Sequence, residues 1–100
     1  MNTSTFGEKI RQLREDRNML LRELAAGLQM DTALLSKLER GERKARKEHL
    51  KQFADILETS EEELLTLWLA DQVYDLLKND ENAEAALRVA EDKIKYGNKN

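Results

Sequence analysis

Residues 21–43 read LRELAAGLQMDTALLSKLERGER, and they carry the clearest structural pattern in the chain. Leucines recur at helical spacing on both sides of Gln29, which predicts two short helices joined by a tight turn. Two such helices can cross at a steep angle only if the side chains between them are small, and Ala25 lies where they would meet. We therefore predict a helix-turn-helix unit over about residues 20–39, although a helical hairpin in an unrelated bundle has the same spacing.

Helical patterns continue on both sides of this unit. A capping box at Thr5 predicts a first helix that reaches about residue 17. Apolar repeats predict further helices over about 47–57 and 61–78, and a sixth from about residue 83. The chain has no proline and only four glycines, which favours helices over strands and turns. The predicted fold class is all-α, a compact helical bundle.

The composition limits the chemistry that the chain can carry. Cysteine is absent and His49 is the only histidine, so a disulfide and a thiolate metal site are excluded and zinc is not expected. No glycine-rich phosphate loop is present, so we expect neither an enzyme nor a cofactor. The longest apolar run is four residues, Leu67 to Ala70. The N-terminal residues do not show a signal-peptide pattern. A cytoplasmic protein is therefore expected.

Charge is unevenly distributed along the chain. The net charge is −3, but residues 1–50 carry eleven Lys/Arg and eight Asp/Glu, whereas residues 51–100 carry six and twelve. Seven cations and three anions lie between Lys37 and Lys51. Such a basic strip is typical of proteins that contact phosphate groups, although a merely solvated charged face gives the same pattern.

The helix motifs, taken in their order along the chain, resemble those of the Xre/Cro/repressor family of helix-turn-helix regulators. The resemblance rests on residues 21–43, the preceding FGEKIRQLRE, the following LKQFADIL and then SEEELL, and it covers about 60 residues, Thr5 to Leu65. It implies a lambda repressor-like DNA-binding domain over residues 1–66 and a C-terminal helical extension over 67–100. The partner that it implies is double-stranded DNA.

The resemblance also implies roles for single residues. Four positions of the second short helix would face base edges in the major groove: Thr32, Ala33, Ser36 and Lys37. Cations that follow this helix would contact phosphates, and so set affinity rather than sequence choice: Arg40, Arg43, Lys44, Arg46 and Lys47. Arg14 and Glu39 match positions that form an internal ion pair, which would tie the first helix to the third.

Four positions depart from the family pattern, one of them Arg46, which replaces the usual small cap of the fourth helix. Leu20 and Leu21 stand where the family usually has a Ser/Thr cap and a glutamine that grips phosphate. Arg22 is therefore our substitute candidate for a phosphate contact. Gln29 stands where glycine is usual, and a positive φ there would cost on the order of 1 kcal/mol relative to glycine.

The fifth predicted helix is apolar around most of its circumference, which four short helices on one side cannot cover. A second subunit that covered it would form a dimer suited to a two-fold symmetric operator. The predicted interface contains Leu67, Trp68, Leu69, Val73 and Leu76, with the Leu67–Leu69 stretch at its centre. The alternative is a monomer in which the fifth and sixth helices fold back as a lid.

These observations lead to three hypotheses about function. The first is a sequence-specific transcriptional regulator, a repressor or autoregulator, that binds a palindromic operator as a homodimer. Within this hypothesis, the small size of the chain suits a controller of a restriction-modification locus or a phage-type repressor. The second is the DNA-binding antitoxin of a toxin–antitoxin pair, in which the last two helices bind the toxin. The third is a protein-binding module without DNA contact, which salt-dependent binding of random DNA would separate from the other two.

Overall fold

The computed structural model describes residues 4–97, which form six α-helices and no strand. The helices are α1 (Phe6–Asp16), α2 (Leu21–Gly27), α3 (Thr32–Glu39), α4 (Leu50–Leu57), α5 (Glu61–Leu77) and α6 (Ala83–Gly97). The all-α prediction is confirmed. The helix expected from about residue 47 begins with a 3₁₀ turn, Lys47–His49, and neither Arg46 nor His49 offers a side-chain cap to the segment that follows it.

Capping side chains fix where the helices begin, and residues in the left-handed backbone conformation fix where several of them end. Thr5 Oγ1 accepts a hydrogen bond from Glu8 N at 3.1 Å and Glu8 Oε1 accepts one from Thr5 N at 3.4 Å, which completes the predicted capping box of α1. Asn18 follows α1 with a φ of 54°, and Gln29 follows α2 with the same value. Glu58 follows α4 with a φ of 53°. Asparagine tolerates this region better than other non-glycine residues do, so Gln29 and Glu58 are more strained than Asn18.

A single core lies among the first five helices. Its fully buried side chains are aliphatic except for Phe53: Ile10, Leu24, Leu35, Leu50, Phe53, Leu57 and Leu64. The rings of Phe6 and Phe53 meet edge to face, with centroids 5.6 Å apart and planes at 89°. Gly7 lets α1 lie directly against the end of α3, because a Cβ there would collide with the carbonyl oxygen of Leu38.

α5 packs on the bundle along its first half and leaves it along its second. Leu64 is fully buried, whereas Leu76 is 80% exposed. Between them, the carboxylate of Asp71 accepts a hydrogen bond from Phe6 N at 2.9 Å. The predicted domain boundary after residue 66 therefore falls inside a continuous helix that contacts the preceding part of the chain as far as Gln72. α6 follows, and none of its residues is buried.

Neither a membrane-spanning helix nor a metal cluster is found in residues 4–97. The longest helix, α5, has 17 residues, and no helix in this range combines the length and the apolar character that crossing a bilayer requires. No three His, Cys, Asp or Glu side chains of the same residues lie where they could hold a metal ion.

Candidate DNA-binding surface

α2 and α3 meet around a small side chain. Ala25 is 1% exposed, and Leu24 and Leu35 beside it are fully buried. The turn between the helices closes with a hydrogen bond from Met30 N to Ala25 O at 2.8 Å, and the left-handed Gln29 reverses the chain. This is the arrangement that the short leucine-rich stretch predicts, with alanine at the point of closest approach.

The outward face of α3 carries all four residues predicted to contact bases. Asp31 caps the helix by accepting a hydrogen bond from Ala33 N at 3.1 Å. Because Leu35 and Leu38 are buried in the core, the positions on the opposite side of the helix face outward. That side presents Thr32, Ala33 and Lys37, which are exposed, and Ser36, which is half-buried.

Arg40 is held by two neighbours at the end of α3. Its Nε and Nη2 donate to the carboxylate oxygens of Glu42 at 2.7 and 3.3 Å, and its Nη1 donates to Ser36 Oγ at 2.8 Å. The hydrogen bonds from Arg40 lower the pKa of Glu42, and the same bonds raise the pKa of Arg40. The charge of this predicted phosphate contact is therefore compensated within the protein.

The loop after α3 carries further cations. We call residues 43–47, of sequence RKARK, the basic loop. The side chains of Arg43, Arg46 and Lys47 are exposed, and none of them has a hydrogen bond or ion pair with any residue from 4 to 97. These three predicted phosphate contacts are thus available to an outside anion.

Lys44 differs from the other cations of the basic loop. Its Nζ donates to Gln72 Oε1 at 3.2 Å and lies 5.4 Å from the centroid of the Trp68 ring. The neighbouring Ala45 is 3% exposed, and its carbonyl accepts a hydrogen bond from Trp68 Nε1 at 2.8 Å. In this structure the charge of Lys44 is therefore directed at α5, although the resemblance assigns the residue to phosphate.

A buried ion pair connects α3 to α1. Arg14 Nε and Nη2 donate to the carboxylate of Glu39 at 2.8 and 3.1 Å, and Arg14 Nη1 donates to the Met19 carbonyl at 2.9 Å. Glu39 is 7% exposed, the only charged residue among 4–97 that is buried. The hydrogen bond with Glu39 raises the pKa of Arg14. The ion pair implied by the resemblance is present, and removal of one partner would leave the other buried without compensation.

Residues 5–67 match a known domain. A family described as a helix-turn-helix domain has a sequence model that matches these residues. The chain belongs to the helix-turn-helix family. A chain in the solved complex of the SinR protein with the SinI protein has a similar fold, with a TM-score of 0.56 and 21% identity over 91% of this chain and 97% of that chain. No curated protein sequence matches the chain.

The match to the SinR/SinI complex extends beyond the helix-turn-helix domain itself. It covers 91% of the chain, whereas the family match ends at residue 67. At 21% identity the likeness concerns the fold alone. Helix-turn-helix domains are DNA-binding units, and α3 is the second helix of this unit in the chain.

This helix-turn-helix protein departs from the family pattern at the start of α2. Leu20 has no capping side chain, and its own N–H donates to Glu23 Oε1 at 2.7 Å. The N–H of Leu20 is therefore already used inside the protein. Arg22 is exposed in the first turn, and its side chain has no hydrogen bond or ion pair with residues 4–97, so it remains the candidate phosphate contact here.

The residues predicted for a dimer interface fall into two groups. Leu67 and Trp68 are half-buried and pack against the core of their own chain. Leu69, Val73 and Leu76 are 48%, 42% and 80% exposed. The Leu67–Leu69 stretch is thus largely used inside the helix-turn-helix bundle, and the exposed apolar surface lies further along α5. The lid arrangement is not formed, because α6 buries none of its own residues.

Part of this apolar surface was not predicted from the sequence. Two open grooves lie along α5 and α6, of about 510 and 480 Å³. Val73 and Leu87 line both of them, Tyr74 lines the first and Ile94 the second. Tyr74 and Ile94 are each 66% exposed. The apolar stripe of the sixth helix was visible in the sequence, but its relation to Tyr74 depends on the angle between α5 and α6.

Proposed function

We propose that the protein is a sequence-specific transcriptional regulator that inserts α3 into the major groove of double-stranded DNA. One observation carries the proposal: the outward face of α3 presents Thr32, Ala33 and Lys37 to solvent beside cations that have no partner in residues 4–97. Short side chains allow a helix to approach base edges closely, and a lysine reaches the acceptors of guanine.

The proposed contacts divide into two kinds. Base edges are read by Thr32, Ala33, Ser36 and Lys37. Phosphates are bound by Arg22, Arg43, Arg46 and Lys47, and by Arg40 when it is released from Glu42. Phosphate contacts fix the register of the protein on the duplex and supply salt-dependent affinity. A protein with this function works in the cytoplasm, as the sequence predicts.

The operator that we propose is palindromic, with a homodimer bound to it. Val73 and Tyr74 on α5 and Leu87 on α6 line an exposed apolar face, and Leu76 is exposed on another side of α5. Burial of such apolar surface stabilises association. A two-fold dimer places two copies of α3 on half-sites about 34–36 Å apart. Occupation of such a site next to a promoter gives a repressor or an autoregulator.

Selection of bound sequences from a random duplex pool tests this function. We expect an enriched palindrome whose half-sites lie one helical turn apart. Lys37→Ala should relax the preference at one base pair per half-site. Arg11→Ala is the matched control, since Arg11 is an exposed cation on α1 paired with Glu15 at 3.2 Å and lies outside the basic strip. An unenriched pool with the wild-type chain would contradict the proposal.

A second candidate follows from the same apolar face. The similar solved structure is a complex of two different proteins, SinR and SinI, and here α5 and α6 offer grooves to a protein partner, as an antitoxin would to a toxin. Light scattering separates the two candidates. Val73→Asp should halve the mass if α5 forms a homodimer, because Val73 lines both grooves, while Leu20→Asp, at an exposed leucine of another helix end, should leave it unchanged. A wild-type mass of one chain favours the second candidate.

A further inference from the structure

Three side chains join α5 to the basic loop, and we call them the latch: Lys44, Trp68 and Gln72. Trp68 Nε1 donates to Ala45 O at 2.8 Å, and the ring lies under Lys44 Nζ at 5.4 Å from its centroid. Gln72 accepts from Lys44 Nζ at 3.2 Å through Oε1 and donates to Trp68 O at 3.2 Å through Nε2. Each member therefore touches the other two.

The latch acts on a segment that has little else to hold it. Residues 43–46 lie between α3 and the 3₁₀ turn and belong to no helix. Within residues 4–97, the backbone of residues 43–45 has one hydrogen bond, the one from Trp68 to Ala45 O. Ala45 is buried at this point while Arg43 and Arg46 on either side are exposed. The position of these two cations thus depends on how Ala45 is fixed.

We propose that Trp68 is a positioning residue for DNA binding, which acts by holding the basic loop through Ala45 and Lys44. The inference rests on the proposed function. A loop that is already ordered binds phosphates without an added loss of conformational entropy. Lys44 belongs to the latch, because its ammonium group is engaged by the Trp68 ring and the Gln72 amide. Arg43, Arg46 and Lys47 remain the phosphate contacts of the loop.

Trp68→Phe tests the positioning role, because phenylalanine keeps an aromatic ring and loses the N–H donor. Binding of a labelled random-sequence duplex is measured by fluorescence anisotropy at several salt concentrations. We expect affinity to fall about fivefold, as for the loss of one hydrogen bond of typical strength. Leu67→Val is the matched control, since Leu67 is half-buried on the same helix and lines a groove with Lys9 and Thr66 instead of the basic loop. It should keep the wild-type affinity.

Lys44→Met tests whether this lysine acts through the latch. A lysine that neutralises a phosphate changes the slope of log affinity against log salt by about 0.9 when it is removed. We expect the slope to stay unchanged. We also expect the losses of affinity from Lys44→Met and Trp68→Phe to be less than additive in the double variant, since both residues hold the same loop and are in contact with each other. Far-UV circular dichroism of each variant under the binding conditions separates these effects from a general loss of stability, which would lower the helix content.

The outcomes separate this inference from the function on which it rests. Failure of the wild-type chain to bind duplex DNA at low salt would overturn both. Wild-type binding with equal affinities for Trp68→Phe and Leu67→Val would overturn the positioning role alone. A reduced salt slope for Lys44→Met would overturn it as well, and this variant changes an exposed residue, so it decides the matter even if Trp68→Phe does not fold.

Discussion

Arg40 and Glu42 show how single side chains set the charge of the DNA-binding surface. Two oxygens of Glu42 accept from Arg40 as phosphate oxygens would, at 2.7 and 3.3 Å. Planar guanidinium groups bind carboxylates and phosphates with the same fork geometry. Glu42 therefore competes with the proposed phosphate ligand for the arginine at the end of α3.

Glu42→Gln should tighten DNA binding by about threefold to tenfold and steepen its salt dependence by up to about 0.9 in slope, because one more cation becomes free for phosphate. Anisotropy titrations with a random duplex measure both quantities. Asp55→Asn is the matched control, since it removes the same charge from an exposed ion pair on α4. Weaker binding by Glu42→Gln would show instead that Glu42 is needed to orient Arg40.

Asp71 places a titrating group at the junction of α5 and α1. Burial raises the pKa of its carboxyl group, and nearby Asp75 and Glu8 add to the rise, while the hydrogen bond from Phe6 N opposes it. The folded protein therefore holds this proton more tightly than the unfolded chain does. The corresponding stabilisation is present at low pH and is lost as pH rises through the folded-state pKa.

Asp71→Asn keeps an oxygen acceptor for Phe6 N and removes the titration. Relative to this variant, the wild-type free energy of unfolding should rise as pH is lowered from 7 to about 4. Urea unfolding at a series of pH values measures the difference. Asp55→Asn, on an exposed carboxylate, is again the control. A difference between wild type and Asp71→Asn that does not vary with pH would contradict the assignment.

At the scale of the elements, the turn between α2 and α3 is strained at Gln29. The side chain is exposed and its φ is 54°, a region that glycine occupies without steric cost. Gln29→Gly should therefore raise the free energy of unfolding by about 1 kcal/mol. Gln12→Gly, at an exposed position within α1, should lower it by about the same amount. Thermal or urea unfolding of both variants checks the opposite signs.

Helices could be predicted from this sequence because their signals are local. The leucines around Ala25, the capping box at Thr5 and the left-handed Asn18 all act over a few residues. Contacts between distant positions have no local sequence signal. Trp68 and Ala45, for example, are joined by a hydrogen bond although they lie 23 residues apart in the chain. The apolar character of Trp68 predicted a dimer contact, whereas the structure uses much of the side chain within the bundle.

At the scale of the whole molecule, the division into a DNA-binding domain and an extension does not coincide with the packing. α5 runs without a break from Leu64 in the core to the exposed Leu76. Both Trp68 and Asp71 lie after the predicted boundary at residue 66 and contact the loop and α1 before it. Stability of the DNA-binding part therefore depends on residues of the extension.

A chain ending at residue 66 should unfold at a temperature roughly 15 °C lower than the full chain, because it loses about 3 kcal/mol of packing from Trp68. A chain ending at residue 78 should keep the full-length transition, since α6 buries none of its residues. Circular dichroism melts at low protein concentration compare the two. Equal melting temperatures for both truncated chains would place the limit of the folding unit at residue 66.

Trp68 is the only tryptophan of the chain, and this has a practical consequence. Fluorescence excited in the indole absorption band therefore comes from Trp68 alone, at the contact between α5 and the basic loop. Changes in its wavelength or intensity during rapid mixing with duplex DNA would time the movement of that loop. No dye and no engineered label is needed.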